Sequence, residues 1–392
     1  MEKKKIRAGL LGSGFSASFH YDALCRVYGA NVEVCGVYSP NVDRCREFAL
    51  KRNIPVRTSV DELLDCCDVV HLCTPPASHE DLAVKALNRD KHVIIEKPFT
   101  GYFGRGVSDF SGDSFDRKVG MDEALGSIKR ILQAEKESSG TIFYAENWVY
   151  APAVQKEREV IEKTKGQILR ILGEESHSGS HSPYYGDWTF SGGGSIMGKS
   201  VHPLTAALYL KSVEGRVRNS EIRPVSVTAR THSLTRNKNY QDDGFLRTGY
   251  KDIEDYGALH ITFSDGTVGD IFASEVVMGG VYNHMEVYAS NHRTVININP
   301  NTALQTYNPQ KEQFDDLYVV EKIGTKEGWA FTSPDEDWFT GYQNEMESFY
   351  SNALSGTAPE SDSRLAADTI STVYAAYLSA SQKGVEVSIP LL

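Results

Sequence analysis

The sequence predicts an α/β domain with a doubly wound parallel sheet, followed by an α+β domain built on a large, open, mostly antiparallel sheet. Three observations predict it. A short apolar segment near the start runs directly into a glycine turn and a helical stretch. Apolar runs then alternate with helical patterns as far as Asn147, and beyond Gln155 the rhythm changes to longer β segments. With 392 residues, 40% of them hydrophobic, the chain is long enough for two cores, divided as residues 1–148 and 149–392.

In the first part, Ile6 to Leu11 is an apolar strand that leads into Gly12-Ser13-Gly14-Phe15-Ser16-Ala17, and a helix follows through Val27. The order strand, glycine turn, helix gives a Gly-x-Gly-x-x-Gly/Ala match its meaning, because it is the dinucleotide-binding turn of a Rossmann sheet. Gly12 permits the tight turn and Gly14 lets the backbone approach a pyrophosphate. Ala17 lets helix and strand pack closely, and Phe15 and Ser16 open the helix whose N–H groups face the phosphates. Val32 to Tyr38 is the second strand. Its end, Ser39-Pro40-Asn41, lacks the acidic residue that would accept from a ribose 2'-hydroxyl, and no arginine follows Ser39 directly. NAD is the expected cofactor, and Arg44 keeps NADP open. A helix from Asp43 to Arg52, a short strand from Val56 to Thr58 and a helical turn from Asp61 to Leu64 come next. The strand Val69 to Thr74 ends in Thr74-Pro75-Pro76-Ala77-Ser78-His79, which brings Thr74, Pro75 and His79 to the cofactor edge before a helix through Asn88.

The fifth strand, in His92-Val93-Ile94-Ile95-Glu96-Lys97-Pro98, is an apolar run that delivers two charged residues and stops at a proline. Glu96 and Lys97 therefore stand at the carboxyl end of the sheet, the edge where open α/β sheets bind ligands. A lysine there can donate a proton or polarise a hydroxyl. Residues 99–120 break the rhythm and read as a loop inserted beside this edge. A helix from Met121 to Glu137 and a sixth strand from Thr141 to Asn147 complete the first domain. In the second, Tyr256 to Phe263, Asp265-Gly266 and Thr267 to Val276 form an alternating hairpin. Val281 to Ala289 and Thr294 to Ile298 add strands, and helices near Trp338 to Leu354 and Ala366 to Ser381 close the chain. One face of the large sheet then has to be covered by helices or by another subunit, so a homo-oligomer joined through that sheet is expected.

Charge and cysteines narrow the function. A net charge of −11, with no basic run beyond Lys3 to Arg7, argues against nucleic acid and against an anionic membrane surface, and favours a neutral or small substrate. All six cysteines fall in the first 73 residues without a Cys-x-x-Cys pair, so they are not a disulfide framework. The short apolar start matches neither a signal peptide nor a membrane span, and a cytoplasmic enzyme is the expectation.

With Gly12-Ser13-Gly14, His79 and Glu96-Lys97-Pro98 in place, the chain resembles the Gfo/Idh/MocA oxidoreductases along nearly its whole length. The second match is Ser191-Gly192-Gly193-Gly194-Ser195-Ile196-Met197-Gly198-Lys199-Ser200-Val201-His202-Pro203, similar to the family's triple-glycine turn and the helix that carries its catalytic histidine. The resemblance implies that Lys97 and His202 surround the carbinol of a sugar or inositol, with hydride going to a nicotinamide. It also implies that Glu146-Asn147-Trp148 and Trp188 line the pocket, Asn147 and Trp188 on the cofactor side. One departure stands out. The family's aspartate, four residues before the histidine, is Gly198 here, and Lys199 follows it; on a helix Lys199 shares the face of His202 and becomes an auxiliary catalytic group.

Between Glu174 and Trp188 the sequence is dense in His177, His181, Tyr184 and Asp187, which, with Trp148 and Tyr150, suit a carbohydrate-binding loop. His177 and His181, four apart, would also suit a metal if helical, but Gly179 and the serines around it favour a loop, and no metal is assigned. The expected activity is oxidation of a secondary carbohydrate hydroxyl, with C3 of a glycoside favoured. Two alternatives stand beside it: a redox-neutral glycosidase working through a transient 3-keto intermediate, and a non-catalytic nucleotide-binding regulator.

Overall fold

The computed structural model describes residues 4–180, 182, 184–299, 304–319, 322, 325–332 and 335–392. Five parallel strands form the first sheet: β1 (Lys5–Leu11), β2 (Asn31–Tyr38), β3 (Val69–Leu72), β4 (His92–Glu96) and β5 (Ile142–Ala145), in the order β2-β1-β3-β4-β5. The central strands β3 and β4 are buried apart from the first residue of β4, as the apolar run Val93–Ile95 and the Val69, Val70 and Leu72 of β3 require. One expected strand is missing. Val56 makes only an isolated bridge to Val37, and the Arg57 guanidinium donates to the Cys35 carbonyl, so a side chain takes the place of a ladder and the sheet has five strands instead of six.

Two further boundaries differ from expectation. The helix after the inserted loop starts at Arg117, where Asp116 caps it by accepting from Lys118 N, and the loop is packed through Phe110 and Phe115 against Tyr102 and Trp188. Residues Pro152–Thr164, expected to begin the β-rich part, form a helix opened by a proline in its first turn.

The second sheet contains β6 (Ile168–Ser176), β7 (Pro224–His232), β8 (Tyr256–Phe263), β9 (Val268–Ser274), β10 (Tyr282–Ala289), β11 (Arg293–Asn297) and a last short strand, Val387–Ser388. Their order is β11-β10-β6-β9-β8-β7 with Val387–Ser388 outermost, and every pairing is antiparallel except β6 with β9. Gly266, at φ +80°, makes the β8–β9 turn as its sequence predicts. Helix Val201–Arg218 lies on the inner face of this sheet. A Cβ at Gly173 of β6 would stand 2.7 Å from Pro203 Cβ, and a Cβ at Gly257 of β8 would clash with Ile196, so two glycines let the helix and the turn before it sit directly on the strands. Helix Tyr342–Ser355 returns to the first sheet through Phe349 and Tyr350, helix Ser363–Ser381 packs mainly against β7 of the second sheet, and one continuous apolar core joins both sheets. Among the described residues no helix is long and apolar enough to cross a membrane.

Candidate active site

The glycine turn has the form a dinucleotide needs. Gly12 sits at φ +104°, and a Cβ there would run into the Cys73 carbonyl, so only glycine fits. A Cβ at Gly14 would meet nothing within 4 Å, which leaves open ground in front of the helix Phe15–Leu24 for a pyrophosphate, and Ala17 is fully buried beneath it. Phe15 and Arg44 are exposed, while Ser16, Ser39 and Thr74 are half-buried and Pro75 is exposed. Asn41 spends its side chain on capping the helix Val42–Arg52 by accepting from Arg44 N. The residues present fit a nicotinamide dinucleotide. His79 does not take the expected place beside it. Fully buried, it has its two ring nitrogens 3.0 Å from the Pro98 and Thr74 carbonyls, and burial holds its pKa below the usual value, so the neutral ring donates to one of them and packs between two edge loops.

Lys97 and His202 both act on Glu96, at the end of the first sheet, and on Glu175, in the second. Lys97 follows β4, and its Nζ donates to the Gly198 carbonyl at 3.1 Å. Glu96 beside it is buried against the His20 ring at 3.2 Å; burial opposes ionisation, yet His20, Lys97 and His202 together hold its carboxyl below the usual range. His202 is reached through one π-helical turn, Ile196–Ser200, whose entry is fixed by Glu254 accepting from the N–H groups of Gly194 and Ile196. The imidazole Nδ1–H donates to Glu146 Oε1 at 2.5 Å, and Glu146, just after β5, is fully buried. A carboxylate only accepts, so this bond fixes the tautomer and leaves Nε2 as the available base. Nε2 lies 3.7 Å from Glu175 Oε2. Burial pushes the Glu175 carboxyl above its ordinary range against the pull of His202, Lys97 and Lys199.

The space of the missing aspartate is filled. A Cβ at Gly198 would collide with the Tyr185 hydroxyl, which donates to Glu275 Oε1 at 2.7 Å. Lys199 donates to the same oxygen at 2.5 Å, and Tyr250 donates to Glu275 Oε2 at 3.0 Å. Lys199 is thus a buried partner of Glu275 and not the loose cation beside His202 that helical spacing suggests; the π turn and the pull of a fully buried carboxylate direct it there. Among the described residues no cluster suited to a metal is found.

Several expected pocket residues lie elsewhere. Trp188 is 1% exposed, donates through Nε1 to the Tyr102 carbonyl at 2.8 Å and packs on Phe115, so its indole is a core element. Tyr150 is buried with its hydroxyl 3.0 Å from Ser361 Oγ, and the buried Asn147 amide donates to the Thr340 carbonyl at 2.7 Å, because helix Tyr342–Ser355 and its lead-in cover both. Trp148 stacks on the His202 ring at a centroid distance of 5.9 Å and backs it. Asp187 caps the turn Trp188–Ser191 and pairs with Lys251 at 2.8 Å, so it is committed to structure. Tyr184 is exposed beside Phe190. Of the two loop histidines, His177 lies 3.8 Å from Glu275, at the rim of the cluster, and His181 lies outside the described residues. Sequence reasoning missed Glu275 altogether and passed over Glu146 as the partner of the base.

Comparison with known proteins agrees with this architecture. Residues 6–104 match the family model of an oxidoreductase family with an NAD-binding Rossmann fold, GFO_IDH_MocA, and residues 154–294 match the GFO/IDH/MocA C-terminal domain. UDP-N-acetylglucosamine 3-dehydrogenase of Acidithiobacillus ferrooxidans is 31% identical over 135 residues, which span 33% of this chain and 39% of that protein. Glucose-6-phosphate 3-dehydrogenase of Bacillus subtilis is 35% identical over 95 residues, 24% of this chain and 26% of that one. The chain therefore spans well under two thirds of these curated relatives. Among solved structures, GenD2 from gentamicin A biosynthesis in complex with NAD superposes with a TM-score of 0.79 at 20% identity, covering 99% of this chain and 97% of that one. A levoglucosan dehydrogenase in complex with NADH and levoglucosan gives 0.73 at 19%, covering 99% and 100%; likenesses at such identity show the shared fold. With both of its characteristic domain models matched over more than half of its length, the chain belongs to the Gfo/Idh/MocA oxidoreductase family.

Proposed function

We propose that the protein is an NAD(P)-dependent dehydrogenase that oxidises a secondary hydroxyl of an uncharged carbohydrate, C3 of a glycoside, and that His202 is the base. The observation that carries this is the Glu146–His202 bond at 2.5 Å, which commits Nδ1 and leaves Nε2 to take the hydroxyl proton. Lys97, now on the Gly198 carbonyl, is in position to turn a donor toward the carbinol oxygen and polarise it. A bound nicotinamide would supply the hydride acceptor, held by Gly12, Gly14 and the helix start at Phe15, with Ser39 and Arg44 toward the adenosine ribose. NAD is favoured over NADP, and calorimetric titration with both oxidised cofactors tests this; tighter binding of NADP contradicts it.

Charge supports an uncharged substrate. The charged groups around His202 are Glu96, Glu146 and Glu175 against Lys97, and Lys199, which acts on Glu175, is already paired with Glu275. A phosphate or diphosphate would enter a cluster with more carboxylates than cations, whereas a neutral glycoside would not. This separates the proposed substrate from those in the names of the two curated relatives. The working organisation is a cofactor unit through residue 148, a substrate unit over 149–392, and a homo-oligomer joined through the second sheet.

The experiment is a screen of neutral glycosides, levoglucosan, inositols, glucose 6-phosphate and UDP-N-acetylglucosamine, followed by the absorbance of reduced nicotinamide. Reduction with a neutral glycoside or levoglucosan is expected. Turnover confined to the phosphate-bearing compounds overturns the substrate class, and release of aglycone without net reduction favours the redox-neutral glycosidase.

A further inference from the structure

We infer that Cys35 and Cys66 are an oxidisable thiol pair, which a hydroperoxide converts into a disulfide that staples β2 to the helix Val60–Cys66. The pair stands apart from His202 and whatever substrate it serves. Although 31 residues apart in sequence, the two thiols meet Sγ to Sγ at 3.0 Å. A disulfide is closed at about 2.05 Å, so roughly 1 Å of movement separates contact from bond.

Local structure explains why they meet and why they can close. β2 is the outermost strand of its sheet, and its ladder with β1 shifts register at Cys35, between the pairs Ala8 with Val34 and Gly9 with Gly36. The extra residue of such a bulge has no partner opposite it, so Cys35 can shift without breaking a ladder. Cys66 is the last residue of its helix, where a turn is least constrained, and its Sγ also lies 3.1 Å from the Leu63 carbonyl. The neighbouring Cys67 turns its Sγ toward the Leu64 carbonyl at 3.9 Å.

Exposure sets the order of events, because Cys66 is half-buried and Cys35 is buried. The Cys66 thiolate attacks one peroxide oxygen, the O–O bond breaks, and the departing hydroxide takes up a proton as water. Cys66 is then a sulfenic acid, oxidised by two electrons. The Cys35 sulfur attacks it, the S–S bond forms as the S–O bond breaks, and the Cys35 proton leaves with the hydroxide as a second water. Burial and the neighbouring Cys35 push the Cys66 thiol up to about 11, while Arg57 and Arg7, already paired with Glu62 and Asp68, pull the other way. Cys67 and burial push the Cys35 thiol up as well. Thiols of high pKa oxidise slowly and are poor leaving groups, so the bond forms slowly and then persists.

The bond fastens a thinly covered edge. Among the described residues the outer side of β2 is held by one isolated bridge, Val37 to Val56, and by the Arg57 guanidinium on the Cys35 carbonyl at 3.0 Å. A covalent link at Cys35 adds to what Val56 to Thr58 does not supply as a strand. Cys35 lies three residues before Tyr38, about 10 Å short of the strand end that faces the cofactor, so the link stabilises the domain and leaves cofactor binding unchanged.

The test treats the full-length protein with hydrogen peroxide, blocks the remaining thiols with N-ethylmaleimide in denaturant, and maps tryptic peptides by mass spectrometry. The peptide holding Cys35 should be joined to the one holding Cys66, lighter than the two together by two hydrogens, and the link should persist in Cys67→Ser and Cys73→Ser and vanish in Cys66→Ser. Oxidation should raise Tm by at least about 3 °C, reversibly with dithiothreitol, with no rise in Cys66→Ser, and the Kd for NAD should stay within about twofold. Cys66 carried to sulfinic acid without a link overturns the inference, as does a link through Cys67 or Cys73 or one between two chains through the exposed Cys25. A Cys35–Cys66 link that leaves Tm unmoved overturns its role as a staple.

Discussion

At the edge of the first sheet the functional groups are neighbours in sequence: Gly12 and Gly14 share one turn, and Glu96, Lys97 and Pro98 end one strand. The groups that face them come from segments far apart. Glu146 and His202 are 56 residues apart, and Lys199 and Glu275 are 76 apart, yet each pair shares a bond of 2.5 Å. The first region depends on local chain geometry, which a strand end or a glycine turn imposes wherever it occurs. The second depends on register and on close packing, on Gly173 and Gly257 letting the helix settle and on Tyr185 filling the place beside Gly198.

The largest expected effects break the part both regions share. His202→Ala and Lys97→Ala should each lower kcat by about 10²-fold or more, the loss of a positioned base or polarising group, with cofactor binding retained. Steady-state kinetics within a few-fold of the parent would remove either residue from the mechanism. Next is Glu146→Gln, which keeps shape but loses the carboxylate charge and offers either an amide oxygen or an N–H to Nδ1, so the imidazole tautomer is no longer fixed. It should lower kcat by roughly tenfold to 10²-fold while KM changes little. An unchanged kcat would mean that the Glu146 carboxylate does not serve the base.

Gly198→Asp sharpens the contrast by restoring the residue the family pattern calls for. The edge logic expects improvement, but the collision with Tyr185 predicts a loss of stability of about 1–3 kcal/mol from overpacking. The combination with Tyr185→Ala should recover much of it, and melting curves of the single and double variants decide the matter.

The smallest effect lies behind the site. Glu345, on helix Tyr342–Ser355, is fully buried facing His20, Glu96 and Glu146, and burial pushes its carboxyl well above the usual range. The stability tied to a raised carboxyl is complete below the ordinary glutamate range and is lost as pH rises through the raised value. Glu345→Gln removes that titration. Its Tm should gain on the parent by a few degrees toward alkaline pH and lose the advantage in acid; a constant difference across pH would show that Glu345 ionises as usual.

The same contrast explains what the sequence disclosed. The five strands of the first sheet and the β8–β9 hairpin follow from periodicity and glycine placement, which act locally, whereas the helix bearing His202 was legible through the resemblance to the family. Val56 to Thr58 misled because a β-like tripeptide lost its ladder to the Arg57 side chain. Pro152–Thr164 was passed over although a proline and a run of helix formers mark it. Trp188 and Tyr150 read as pocket residues because an indole or a phenol suits a sugar as well as a core, and only packing separates the two. Glu275 carried no signal. It follows a strand without a motif, and its value comes from the two tyrosines and the lysine that fold around it.

The origin of the transferred hydride tests the dehydrogenase reading most directly. Methyl β-D-glucopyranoside deuterated at C3, incubated with the protein and NAD, should yield reduced cofactor carrying the deuterium, formed more slowly than from the unlabelled glycoside. Reduced cofactor without label would place the oxidation at another carbon, and no reduction at all, with Lys97, His202 and Glu146 intact, would contradict the dehydrogenase reading.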